Sequence, residues 1–167
     1  MNRLALGCLV LIGMAGWLTL AHAADRRIDV SQIVDKKVAE SILGEPVKTP
    51  TPRNVEGREG YYSKCNYYGA RSAKTLILRV YQAAAGFDPR KQLETVEENT
   101  GAMRAIPGLG EKARLSSGVA AGLPPDVVML YVVKGNTLIT VGLSGLEDET
   151  AATDKVKGLA QDILARL

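Results

Sequence analysis

Between residues 61 and 68 the side chains alternate, with Tyr61, Ser63, Cys65 and Tyr67 on one side and Tyr62, Lys64, Asn66 and Tyr68 on the other. A period of two is the mark of a strand, whose successive side chains point to opposite faces. Residues 75–81 repeat it, with Leu76, Leu78 and Val80 on one face and Thr75, Ile77, Arg79 and Tyr81 on the other. Residues 69–73 supply a turn, so the two segments predict an antiparallel hairpin. A second hairpin is predicted over residues 127–133 and 137–143, turned by Lys134-Gly135-Asn136. Its first strand is apolar on both faces, as suits a strand inside a sheet. A further short strand is expected at about residues 112–116.

The remaining apolar positions follow a helical period. In residues 29–44, Val30, Ile33, Val34, Val38 and Ile42 fall near one face, Asp29 or Asp35 is placed to cap the start, and Gly44-Glu45-Pro46 is a stop. Residues 45–60 carry three prolines, two glycines and six charges, and read as a long exposed loop. Asp88-Pro89 opens a second helix, with Asp as cap and Pro at the first helical position. Its inner face is expected to run through Leu93, Val96, Thr100 and Met103 to a stop at Pro107-Gly108-Leu109-Gly110. Residues 117–126 read as a loop. A third helix, capped by Thr150 or Thr153, presents Val156, Leu159, Ala160, Ile163 and Leu167. The class expected is α+β: an antiparallel sheet of four to five strands, with three helices packed mainly on one face. The expected order is α-β-β-α-(β)-β-β-α.

The N-terminus changes what chemistry is available. A positive start at Arg3, an apolar run over residues 4–20 and Ala21-His22-Ala23 have the layout of a secretory signal peptide over residues 1–23, cleaved between Ala23 and Ala24. The alternative is a retained anchor, which needs about 18 or more apolar residues; this run has 17, with three glycines in it. Cleavage leaves a single domain, residues 24–167, in an oxidising periplasmic or secreted location. It would also remove the only His (His22), the only Trp (Trp17) and Cys8. A chain without histidine cannot build a Ser-His-Asp or Cys-His site, nor a histidine-ligated zinc, copper or iron centre. No cofactor and no metal are expected. Cys65 then has no internal partner, and reads as a buried, inert thiol or, alternatively, as half of an intermolecular disulfide.

Several short motifs resemble the domain families of unknown function found in bacterial secreted proteins and envelope lipoproteins. They are the helix end Ile42-Leu43-Gly44, the strand segment Cys65-Asn66-Tyr67, Gly108-Leu109-Gly110-Glu111-Lys112-Ala113, and Leu159-Ala160. The likeness spans most of residues 30–167. Two features depart from the pattern: Val30-Ser31-Gln32 stands where many members have a second Cys, and the lipid-acceptor Cys is missing. The resemblance implies a fold and an envelope address. It brings no activity and no catalytic residues.

Three local features are candidates for chemistry. Gly108-Leu109-Gly110 looks superficially like a phosphate loop but follows a helix and leads into a strand, so a tight turn using positive φ is the expectation. Glu147-Asp148-Glu149 lacks the alternating ligands of a calcium loop and reads as negative charge at a helix N-terminus. The third is a charge imbalance. Residues 48–79 hold Lys48, Arg53, Arg58, Lys64, Arg71, Lys74 and Arg79 against Glu56 and Glu59, interleaved with four tyrosines, although the whole chain is only +3. The candidate binding residues are Tyr62, Lys64, Asn66 and Tyr68 on one strand face, continued by Arg79 and Tyr81 on its neighbour. Tyr62 and Tyr68 are expected to lie outside the core.

The reading that follows is a non-enzymatic periplasmic or secreted module binding a protein or an anionic envelope component. No nucleic acid and no membrane span after cleavage are expected. The alternatives are a small envelope enzyme using carboxylates only, and a structural envelope component. Two facing carboxylates in a cleft would favour the enzyme, and an uncovered Tyr/Arg face would favour the binding module.

Overall fold

The computed structural model describes residues 27–167, so the leader and its cleavage site at Ala23–Ala24 lie outside the described residues. Helix α1 covers Val30–Ile33 and α2 covers Lys36–Leu43. Strands β1 (Arg53–Gly57), β2 (Gly60–Tyr68) and β3 (Thr75–Ala83) form a meander. Helix α3 (Pro89–Asn99) leads to a second meander of β4 (Arg104–Ala105), β5 (Lys112–Ser117), β6 (Val127–Lys134) and β7 (Thr137–Ser144). Helix α4 (Glu149–Leu164) ends the fold. The meanders join where β7 pairs with β3, giving one antiparallel sheet ordered β1-β2-β3-β7-β6-β5-β4.

This corrects the expected architecture. Among the described residues the sheet has seven strands rather than four or five, and there are four α-helices rather than three. The segment read as a loop holds β1, paired from Arg53↔Lys64 to Gly57↔Gly60. Every residue of β1 is exposed, so it carries no apolar alternation. The expected first helix is two helices, and both capping candidates are used: the Asp29 carboxylate accepts from the Ser31 N–H, and that of Asp35 from the Val38 N–H. The break falls at Val34, whose extended backbone leaves its carbonyl free to accept from the buried Tyr67 hydroxyl. Helix α3 stops at Asn99, short of Met103, with Thr100 extended. Pro107-Gly108-Leu109-Gly110 instead turns β4 toward β5, with Gly108 and Gly110 at φ 75° and 63°, the left-handed region glycine allows. Strand β5 is paired along its length with β6 and is a full member of the sheet. The last helix is capped by Asp148 rather than by either threonine.

One sheet face forms the main core. Cys65 and Tyr67 of β2, Leu78 and Val80 of β3, Leu130 of β6 and Val141 of β7 pack with Val30, Leu43, Val156 and Ile163 from α1, α2 and α4. Burying such apolar area is the dominant favourable term in folding. Two buried polar side chains on this face are matched to backbone donors. Gln82 Oε1 accepts from the Ile28 N–H at 2.8 Å, and Ser63 Oγ from the Val30 N–H at 3.0 Å. Those bonds satisfy backbone donors entering α1 that have no intrahelical partner. At the far end of α2, Lys155 Nζ donates to the Ile42 carbonyl at 2.6 Å and Lys74 Nζ to that of Leu43 at 3.1 Å. Cations there complement the negative helix end.

The second face is treated differently. Among the described residues the helix on this face is α3, which buries Leu93 against Tyr81, Val133 and Leu138, with Tyr62 and Tyr131 packed alongside. The helix covers one end of this face; toward the other end Lys64, Asn66 and Arg79 are half-buried and Tyr68 is exposed, whereas Ser116 and Thr140 are buried.

Candidate functional site

The sheet register lays the second face out in rows that cross the strands. One row runs Val55–Tyr62–Tyr81–Leu138–Val133, with α3 over its Tyr81–Val133 part and Val55 exposed at the edge. The next row, toward the open end, is Arg53–Lys64–Arg79–Thr140–Tyr131–Arg114. Beyond it lie Asn66–Ile77–Gly142–Met129–Ser116 and then Tyr68–Thr75–Ser144–Val127. Adjacent strands stand about 4.8 Å apart, and same-face residues along one strand about 6.6 Å apart. The six candidate residues therefore share one surface, in the alternation read from the sequence.

Their environments differ. Tyr68 is 49% exposed. Lys64, Asn66 and Arg79 are half-buried. Tyr62 is half-buried against the second core cluster, so it is not free of the core as expected. Tyr81 is 8% exposed beneath α3, and its hydroxyl donates to the Glu59 carbonyl at 2.7 Å. Tyr81 thus supports the surface from below. Of the other basic residues in segment 48–79, Lys74 serves the end of α2, while Arg58 and Arg71 lie in the turns at either end of β2.

Charge is unevenly compensated along the basic row. At the β5 end, Arg114 Nε donates to Glu97 Oε1 at 2.5 Å and Lys112 Nζ to Glu97 Oε2 at 2.8 Å. The Lys112 hydrogen bond is the main cause holding the Glu97 carboxyl below its ordinary pKa; partial desolvation opposes it and Arg114 reinforces it. At the β1–β3 end, Arg53, Lys64 and Arg79 are directly opposed across three strands. Among the described residues none of the three has a carboxylate within ion-pair distance. Burial raises the pKa of the Tyr131 hydroxyl, and the nearby Arg79 charge opposes that rise.

Two pockets flank Lys64 and Arg79. One, about 220 Å³, lies between α3 and the sheet and is lined by Tyr62, Arg79, Gln92, Tyr131 and Thr140 among others. The other, about 230 Å³, is lined by Thr49, Thr51, Lys64, Asn66 and Tyr68. Asn66 Nδ2 donates to the Tyr68 hydroxyl at 3.1 Å, whereas Asn66 Oδ1 and Arg79 Nε are buried without a hydrogen-bond partner. Such unmatched polar atoms cost free energy unless something supplies the missing partner. Gly142 shapes the floor: a Cβ there would lie 2.4 Å from Met129 Sδ, so glycine lets the Met129 side chain lie flat across the sheet.

Thr49 and Thr51 were not among the candidate residues. They precede β1, in a segment whose prolines and charges mask its role as one wall of the face. Only the interruption by threonines at alternate positions offered a signal.

Elsewhere, a pocket of about 360 Å³ is lined by Pro125, Asp126, Val128, Leu146, Glu147 and Glu149. Its acids are partly occupied: Asp126 accepts from the Gly145 N–H at 2.9 Å and Glu149 from the Ser117 hydroxyl at 2.7 Å. The neighbouring Asp148 caps α4. Among the described residues no group of three or more His, Cys, Asp or Glu side chains converges as a metal site. Cys65 is a free, buried thiol, and burial pushes its pKa up. Among the described residues no helix is long and apolar enough to cross a membrane.

No family model matches this chain, and no curated protein does.

Proposed function

We propose that this chain is a non-enzymatic interaction module of the bacterial envelope, periplasmic or secreted, that binds its partner on the open end of the second sheet face. The observation that carries the reading is the row of Arg53, Lys64 and Arg79, opposed across three strands with no carboxylate partner among the described residues. Like charges directly opposite on a sheet destabilise it. An anionic group supplied from outside offsets that repulsion. Tyr68 lies two rows further along β2 and lines the same pocket as Lys64, and aromatic and arginine side chains are those that most often anchor interfaces. The leader layout at the N-terminus and the resemblance to envelope domain families support the location.

The enzyme alternative has less to draw on, because two acids of the largest acidic pocket already hold backbone or hydroxyl donors. The test is affinity capture from bacterial envelope extract, with the captured material identified by mass spectrometry. A Lys64→Gln/Tyr68→Ser double variant is expected to lose what the wild-type chain captures. Equal capture by both would remove the proposal.

A further inference from the structure

We propose that the occupant of this face is an acidic oligosaccharide, with a sugar carboxylate on Arg79 and Lys64 and the sugar hydroxyls in the pocket beside them. This deepens the binding-module reading and rests on it. The charge requirement comes from the Arg53–Lys64–Arg79 row, which is linear rather than clustered. A chain bearing acidic groups along its length matches a line of cations better than a single compact anion does. The two pockets of about 220 and 230 Å³ lie on either side of Lys64 and Arg79. Each falls below the usual range of about 300–1,000 Å³ for a drug-sized ligand. Together they suit consecutive units of a chain.

The hydrogen-bonding inventory narrows the class. Arg79 Nε is a buried donor without an acceptor, and Asn66 Oδ1 a buried acceptor without a donor, in adjacent rows of the same face. The arrangement calls for a ligand that carries an anionic acceptor and, a few ångströms away, a neutral donor. A sugar acid has both on one ring. An arginine–carboxylate bond is of the charge-assisted, stronger kind. The pocket on the β1 side has no aliphatic side chain in its lining: Thr49, Thr51, Lys64, Asn66 and Tyr68 all end in donors or acceptors. Threonine hydroxyls both give and accept, as ring hydroxyls require. The half-exposed Tyr68 ring offers an apolar surface to the C–H side of a sugar ring. An acidic peptide meets the charge of the row but brings no ring hydroxyls to Thr49, Thr51 and Asn66.

The experiment is calorimetric titration of the purified chain with tetragalacturonate at low salt. Its methyl ester and a tetraglutamate peptide are the comparators. Saturable binding is expected for tetragalacturonate, at least tenfold weaker with Lys64→Gln and with Arg79→Gln, and lost on esterification. Tetraglutamate is expected to bind at least tenfold more weakly. Circular dichroism melting of each variant separates loss of binding from loss of fold, and the exposed Arg53→Gln gives a further reading if Arg79→Gln unfolds. No saturable binding, binding indifferent to all three substitutions, or equal binding of tetraglutamate would overturn the inference. If it falls while the Lys64→Gln/Tyr68→Ser variant still loses its captured partner, the occupant is another anion and the binding-module reading stands. If capture is also indifferent, both fall.

Discussion

Lys64 and Arg79 stand directly opposite each other on neighbouring antiparallel strands, on a face that α3 leaves half open. Nothing in the packing requires two cations there; alternation alone fixes which face they share. Repulsion between them is a cost the fold carries. Lys64→Gln is therefore expected to raise stability by about 0.2–1 kcal/mol in urea unfolding at low salt. The gain should shrink near 1 M salt, where the screening length is about 3 Å. A destabilised variant would show that Lys64 makes a favourable contact instead.

Tyr62 and Tyr68 belong to one strand face but not to one environment. Tyr62 packs beside Leu93 and Tyr81, whereas Tyr68 is 49% exposed. Tyr62→Ser is expected to cost about 1–2 kcal/mol, through lost burial and a partial cavity. Tyr68→Ser should stay within about 0.5 kcal/mol of wild type. Equal losses would mean that the open end of the face is covered.

The Cys65 thiol lies on the closed face, fully buried, with its pKa raised by burial. Thiol-reactive reagents are expected to label it slowly in the native chain and rapidly in denaturant. Quantitative labelling without denaturant, or a dimer that reductant dissolves, would contradict this.

Glu97 ties α3 to β5 through Lys112 and Arg114, and its folded pKa is depressed from an ordinary 4.5. A lowered folded pKa means that the stabilisation is complete above the unfolded value. It is lost as pH falls from about 4.5 through the folded pKa. Urea unfolding between about pH 6 and 3 should show a smaller loss for Glu97→Gln than for wild type. Identical slopes would remove Glu97 from the acid sensitivity.

What the sequence made legible was the interior of the sheet. Strands β2, β3, β6 and β7 alternate, or are apolar throughout, because at least one of their faces is buried, and Tyr62, Lys64, Asn66 and Tyr68 inherit their common side from that same period. The edges were not legible. Arg53–Gly57 is exposed at every position, so no hydrophobic period distinguishes β1 from a loop, and Arg104–Ala105 is too short to have one. The split between α1 and α2 depends on Tyr67 reaching the Val34 carbonyl across the core, a long-range bond that no local pattern encodes. The row of Arg53 with Lys64 and Arg79 was hidden for the same reason, since Arg53 joins it only through the pairing of an edge strand read as a loop.

The claim that the open end of the second face is the binding surface is tested most directly by photo-crosslinking in intact cells. One chain carries a photo-reactive phenylalanine analogue in place of Tyr68. A second carries it in place of Asp162, exposed on α4 on the other side of the sheet. Irradiation is expected to give a higher-mass adduct from position 68 that is diminished by Lys64→Gln, and none from position 162. Adducts from position 162 alone, or equally from both, would place the partner elsewhere on the molecule.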